Sequence, residues 1–233
     1  MSTSDIICVT NRIISENNGE SFLERIRKVA EAHPHALILR EKDLSLDEYA
    51  ALADQVADIC RKTGTRLIIH QFYELIVDSE TYKPFNININ NTTADEQDIF
   101  KSGNYKYLHM PLNKLEELYK NHPVTYKMLR FRLLGLGASC HSVEDAKLAE
   151  KLGCTYIIAG HIYNTDCKKG LDGRGTDFLK SVVDAVQIQV YAIGGITPGN
   201  YTEIKSAGAS GACIMSSAMT CESPELLLDN FKD

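Results

Sequence analysis

Several things are scarce in this chain, and each scarcity closes off a class of protein. Its seven cysteines include no Cys-x-x-Cys and no paired metal-ligand spacing. That pattern argues against a zinc or disulfide framework and for scattered, reduced thiols in a soluble cytoplasmic protein. There is no basic tract, and the formal net charge is −6. A mildly acidic chain of this kind is not built for nucleic acid or anionic membrane. Any phosphate it binds must be held by local dipoles and a few placed cations. The start, Met1-Ser-Thr-Ser-Asp5, has neither a basic n-region nor a long apolar h-region. No apolar run approaches the ~18 residues of a membrane span. The first strand-like run is not followed by Gly-x-Gly-x-x-Gly, which disfavours a dinucleotide-binding open sheet. No strict internal repeat is present.

What is present is a regular alternation. The 233 residues, 44% of them hydrophobic, can bury a sizeable core. Short β-rich runs fall at Ile6–Thr10, Ala36–Arg40, Arg66–His70, Tyr105–Met110, Leu134–Cys140, Thr155–Gly160, Val190–Gly194 and Gly211–Met215. Between them lie helical periods over Ser21–Ala32, Leu46–Arg61, Ser142–Leu152, Pro198–Ala207 and Ser223–Phe231, with another starting near Thr176. Eight strands separated by helices predict a parallel sheet with crossovers. Eight units in this length predict an α/β protein, a (β/α)8 TIM barrel, as a single domain over residues 1–233. The Asn/Thr-rich stretch within residues 81–104 breaks the rhythm and reads as an inserted loop after the third strand.

The longest break between a strand and its helix runs from Gly160 to Gly175. Long loops in compact domains are usually functional or disordered. This one places His161 at the strand tip and Lys168 and Lys169 a few residues later, a combination suited to holding an anion and moving a proton. Read as a plain solvated loop, it would not need Gly170, Gly173 and Gly175. Four histidines, His70, His109, His141 and His161, fall at strand C-terminal ends, the face where barrel active sites sit. Any one of them can equally be a satisfied structural residue.

Two glycine-containing strand ends follow. Gly194 and Gly195 close the seventh strand, and Ser216 and Ser217 stand at the helix start after the eighth. Separately they are ordinary turns and caps. Together, at the ends of consecutive strands, they resemble a phosphate cup of backbone donors and a helix N-terminus. Arg40-Glu-Lys-Asp43 closes the second strand and offers Arg40 and Lys42 to an anion, or forms a surface ion-pair cluster. Cys140 and Cys167 flank the presumed site, but a nucleophilic thiol needs a lowered pKa, and His141 is only a sequence neighbour of Cys140.

Together Leu39-Arg-Glu-Lys42, Gly137-Ala-Ser-Cys-His141, Gly160-His-Ile-Tyr-Asn-Thr-Asp-Cys-Lys-Lys-Gly170, Ala192-Ile-Gly-Gly-Ile196 and Ile214-Met-Ser-Ser217 resemble the thiamine phosphate synthase superfamily. Within it, the 160–170 motif resembles the thiazole tautomerase branch. The resemblance implies a TIM barrel and a small-molecule thiazole phosphate ligand, with no nucleic acid or membrane partner and a homo-oligomer left open. It also implies that an Asn-Asp pair after the third strand holds magnesium and a pyrimidine pyrophosphate in the synthases, where this chain has His70-Gln71. Losing that carboxylate weakens pyrophosphate chemistry here.

The expectation is therefore a thiazole tautomerase-like isomerase in thiamine biosynthesis, acting on a thiazole phosphate carboxylate without metal or cofactor. His161 would be the general acid/base. Arg40, Lys42, His141, Thr165, Lys168, Gly194, Gly195, Met215, Ser216 and Ser217 would bind substrate. The alternatives are thiamine phosphate synthase itself, a magnesium-using transferase, and a non-catalytic thiazole phosphate sensor.

Overall fold

A computed structural model describes residues 5–77, 105–165 and 170–231. Eight parallel strands close into a barrel in chain order. They are β1 (Ile6–Val9), β2 (Ala36–Leu39), β3 (Leu67–His70), β4 (Tyr107–Pro111), β5 (Gly135–Cys140), β6 (Tyr156–Gly160), β7 (Gln189–Ile193) and β8 (Gly211–Ile214). The ring closes where Ile6, Ile7 and Cys8 pair with Ala212, Cys213 and Ile214. The helices between them are α1 (Arg12–Asn17), α2 (Phe22–Glu31), α3 (Leu46–Thr63), α4 (Leu112–Asn121), α5 (Pro123–Arg132), α6 (Val143–Lys151), α7 (Gly175–Ala185), α8 (Tyr201–Ser206), α9 (Ser216–Thr220) and α10 (Pro224–Asp229). The expected (β/α)8 barrel is the observed architecture. The expected insertion over residues 81–104 lies outside the described residues.

Strand periodicity builds two layers. Ile6, Cys8, Leu37, Leu39, Ile69 and Leu108 face outward and join the apolar sides of the helices in one buried cluster. Their sequence neighbours Ile7, Val9, Ile38 and Ile68 face inward and meet Tyr156, Ile158 and Tyr191. All the strand residues named here are buried. Helix α3 shows how local chemistry agrees with this plan. Ser45 and Glu48 form a reciprocal capping box, and Gly64 ends the helix at φ 73°. Its buried residues Tyr49, Ala53, Val56, Ala57 and Cys60 recur at helical spacing and pack on the barrel.

Two local expectations change. The span 198–207 opens as a 3-10 turn, Pro198–Asn200, before α8. The Asn200 side chain accepts from the Thr197 amide at 2.8 Å and donates to the Gly195 carbonyl at 3.0 Å, which tightens the first turn. Helices α4 and α5 between β4 and β5 were not anticipated; α5 begins with Pro123 in its first turn. Among the described residues, no helix is long and apolar enough to cross a membrane.

The barrel interior depends on one missing side chain. A Cβ on Gly137 would lie 2.1 Å from the Tyr156 ring, and Tyr156 is buried in the centre of the inner cluster. Rigid strand backbone on both sides leaves the ring nowhere to move. Gly137→Ala should therefore destabilise the fold by about 1–3 kcal/mol or more, seen as a lower urea midpoint at unchanged m-value.

Candidate active site

The C-terminal ends of the strands surround an open cavity of about 640 Å³. Arg40, His141, His161, Thr165, Gly194, Gly195, Met215, Ser216 and Ser217 all line it. Residues from β2, β5, β6, β7 and β8 thus converge, although they are scattered over most of the chain. Lys42 is exposed just beyond Arg40 and does not line the cavity. Lys168, like Cys167, lies outside the described residues. Asn11 and Ile14, from the start of α1, also line the cavity and were not singled out from sequence.

The β6 and β7 loops are stitched together. Ile162 N–H donates to the Ile193 carbonyl at 2.9 Å, and Tyr163 N–H to the Gly194 carbonyl at 3.0 Å. The chain returns from the long loop through Arg174 N–H to the His161 carbonyl, 3.0 Å, and Gly175 N–H to the Ile162 carbonyl, 2.9 Å. Gly194 and Gly195 adopt φ 103° and 67°. A Cβ on Gly194 would lie 2.4 Å from the His161 Cβ, and one on Gly195 2.6 Å from the Asn164 carbonyl oxygen. Both positive φ and contact therefore require glycine here. Opposite them, α9 begins after Met215, which supplies no side-chain cap. Its first turn faces the cavity through Ser216 and Ser217.

Two of the four strand-end histidines reach the cavity. His141 is exposed, and its Nδ1 lies 2.8 Å from the Gly160 carbonyl. His161 is buried, with Nε2 3.2 Å from the Leu171 carbonyl and Nδ1 without a partner among the described residues. A carbonyl only accepts, so the bonded nitrogen in each ring carries the hydrogen. In the neutral ring the other nitrogen keeps its lone pair: Nε2 of His141 and Nδ1 of His161.

The other two histidines sit inside the barrel. His109 Nδ1 lies 3.2 Å from the Tyr156 hydroxyl and Nε2 2.9 Å from the Ser139 hydroxyl. It is the satisfied structural residue that any strand-end histidine could have been. His70 stacks 6.0 Å from it, and its buried Nδ1 has no partner among the described residues. Burial, with the nearby cation Arg40, pushes His109 down to about 3. Burial, then His109, Arg40, Lys42 and Lys114, pushes His70 down to about 2. Cys140 packs outward among the helices, and burial raises its thiol. That is the opposite of activation.

The Arg40-Glu-Lys-Asp43 motif is not a self-neutralising cluster. Glu41 is buried; one carboxylate oxygen accepts from the Thr10 hydroxyl at 2.5 Å and the other from the Arg12 amide at 2.9 Å. Burial raises its pKa, against those two hydrogen bonds. Thr10 in turn accepts from the Arg40 amide at 2.9 Å. Asp43 pairs with the Arg12 guanidinium at 2.6 Å. Both carboxylates of the motif therefore face α1, and Arg40 has no ion pair with any described carboxylate. Thr10 and Arg12 could not be found from sequence as the partners of Glu41, because the contact joins residues about thirty apart.

Magnesium can be tested against these donors. Its preferred ligands are oxygens, usually including a carboxylate. Among the described residues, no Asp or Glu lines the cavity. Among the described residues, no group of three His, Cys, Asp or Glu side chains could hold a metal. The described residues at the cavity do not fit the ion.

Glycine turns after β7, a helix start after β8 and the Arg40 cation after β2 all open on one cavity at the C-terminal face of a (β/α)8 barrel. The thiamine monophosphate synthase family model matches residues 6–82 and 126–218. The chain belongs to this family. A thiamine-phosphate synthase from Fusobacterium nucleatum is 29% identical over 218 residues, covering 92% of this chain and 91% of its own. A putative thiamine-phosphate synthase 2 from Aquifex aeolicus is 30% identical over 194 residues, covering 83% and 86%. The thiamine phosphate pyrophosphorylase structure from Pyrococcus furiosus superposes with a TM-score of 0.69 at 21% identity, covering 97% and 92%.

These findings overturn the expected isomerase. Relatives matching nearly the whole chain are named as synthases, which are transferases, and the tautomerase branch is not singled out. The expectation leaned on one loop motif, part of which, including Lys168, lies outside the described residues. A single loop does not set the reaction when the whole barrel mouth builds the site. The role of His161 as acid/base of a tautomerisation falls with it.

The buried histidines predict a pH dependence. In the folded protein both stay neutral, while in the unfolded chain they protonate at about 6.5. Below that pH the unfolded state binds more protons, so stability is full above it and falls as the pH drops. Each group contributes a slope of about 1.4 kcal/mol per pH unit. Urea midpoints measured from pH 7.5 to 5 should fall, and His109→Gln should flatten that fall.

Proposed function

We infer that this chain is a thiamine-phosphate synthase-type transferase, joining a thiazole phosphate to an aminopyrimidine pyrophosphate. The observation that carries the reading is the shared cavity: the glycine turns and helix start at β7 and β8 line one open space with Arg40 at β2, which has no ion pair to a described carboxylate. Relatives bearing the synthase name over nearly the full chain support it.

In this reading the thiazole phosphate sits against Gly194, Gly195, Ser216 and Ser217. The long β6 loop, with Thr165, bounds the same side. The bond from thiazole to the pyrimidine's reactive carbon forms as the bond from that carbon to pyrophosphate oxygen breaks. The electron pair leaves on the pyrophosphate, so the protein must stabilise negative charge that grows on the leaving group. Arg40 is placed for that, and its planar fork suits phosphate oxygens. The free nitrogens of His141 and His161 serve as hydrogen-bonding groups that orient the substrates; no proton transfer is required of them. No step is assigned to a metal, because the described donors do not fit one.

The test is pyrophosphate release from the two substrates by purified protein, with product formation followed in parallel. Release with joined product supports the reading; no product under any condition overturns it. Arg40→Met should lower kcat/KM roughly 10- to 100-fold. Gly195→Ala should weaken thiazole phosphate binding at least roughly tenfold in calorimetry, because the added methyl meets the Asn164 carbonyl and the left-handed backbone is lost.

A further inference from the structure

A second cavity, of about 230 Å³, lies at the opposite end of the barrel. His35, Arg66, Leu134 and Thr155 line it, and each stands just before a strand, which places it at the N-terminal face. It shares no lining residue with the cavity at the mouth. The walls are the side chains of Tyr107, Tyr156 and Tyr191, with Ile7 and Ile68 beside them. Tyr156 and Tyr191 meet edge to face, with ring centres 6.0 Å apart. Gly135 makes room for the third ring: a Cβ there would lie 2.7 Å from the Tyr107 ring. Leu134, exposed, forms part of the rim.

Among the described residues, Arg66 is the one lining group with a fixed charge. Its guanidinium lies 4.7 Å over the centre of the Tyr107 ring, and Nη1 is 3.1 Å from Nε2 of His35. Arginine only donates, so Nε2 accepts and the ring hydrogen sits on Nδ1. The Tyr191 hydroxyl lies 3.1 Å from the same Nε2. One lone pair therefore faces two donors. Burial, then repulsion from Arg66, lowers the His35 pKa, with Asp5 opposing. The ring stays neutral and supplies no second acceptor there. Asp5 does not answer the surplus, because it pairs with Lys205 at 2.9 Å. Arg66 itself has no ion pair with a described carboxylate. The cavity thus holds a cation and a hydroxyl with hydrogens to spare, against aromatic walls.

We propose that this cavity binds a small planar aromatic carboxylate, with the carboxylate on Arg66 and the Tyr191 hydroxyl and the ring among the three tyrosines. The planar guanidinium fork matches a carboxylate, and its orientation is already held by Tyr107 and His35. Flat rings pack well against tyrosines in offset or edge-to-face contact. The volume is below that of a site for a drug-sized ligand, which limits the occupant to about one ring. The N-terminal face of a barrel ordinarily serves stability. An arginine kept for stability alone would gain most from a carboxylate partner, and the fold supplies none to Arg66. The site is separate from the transfer reaction and does not depend on the synthase reading.

The probe is benzoate, titrated into the full chain and followed by the line widths and shifts of its ring protons. Saturable binding is expected, with a Kd of about 0.1–1 mM for so small a ligand. Cyclohexanecarboxylate has the same charge and a similar size but no flat ring, and should bind roughly three- to tenfold more weakly. Arg66→Met should weaken benzoate binding by roughly tenfold or more. Tyr191→Phe keeps the ring and removes the spare hydroxyl, and should weaken binding several-fold; it decides the matter if Arg66→Met fails to fold. Thermal midpoints are measured alongside. Absence of saturation well above that concentration range, benzoate binding indifferent to these substitutions, or equal binding of cyclohexanecarboxylate would overturn the proposal.

Discussion

The buried carboxylate of Glu41 sets the character of the site. Surrounded by protein, it is costly unless hydrogen-bonded, and it meets that need with the Thr10 hydroxyl and the Arg12 amide. This ties the end of β2 to the start of α1. It also turns the motif's negative charge toward α1, where Asp43 is held by Arg12. Arg40 and Lys42 are left without a neutralising partner on their own segment. The electrostatics of the barrel mouth follow from where one acid is satisfied, not from the net charge of −6, which points the other way.

The opposite wall works by shape. Gly194 and Gly195 let the β6 loop approach the β7 loop closely enough for direct backbone hydrogen bonds. The first residues of the long loop are therefore anchored on the β7 end, and its last residues return to them, with His161 buried at the root. Below this layer, Gly137 leaves room for the Tyr156 ring, whose hydroxyl meets His109. Packing inside the barrel and placement of the mouth residues are thus linked through a few positions where a methyl group would not fit.

Much of the fold was legible because periodicity reports burial. All eight strands fall at the expected places, within about two residues, and Ser45, Ser142 and Ser223 cap the helices they precede. Helices α4 and α5 were not anticipated, although α4 buries Leu112, Leu115 and Leu118 at helical spacing. The site was legible to the extent that a barrel sends strand ends to one face: Arg40, His141, His161, Gly194 and Ser217 meet as that rule requires. The rule does not say which strand-end residue turns inward, so His70 and His109 could not be told from His141 and His161. Nor does motif similarity in one loop rank reactions, which is why the isomerase expectation gave way.

By itself, the sequence determined the order of strands and helices, the closed barrel, and the segments that reach its mouth, because those depend on local periodicity and chain order. Tertiary structure alone decided the charge of the mouth. Glu41 is bound by residues about thirty positions earlier, and Lys114 reaches Gln71 from more than forty positions later. Side-chain pairing across the barrel is a property of three-dimensional proximity, and it is pairing that separates a neutral cluster from a site open to an anion.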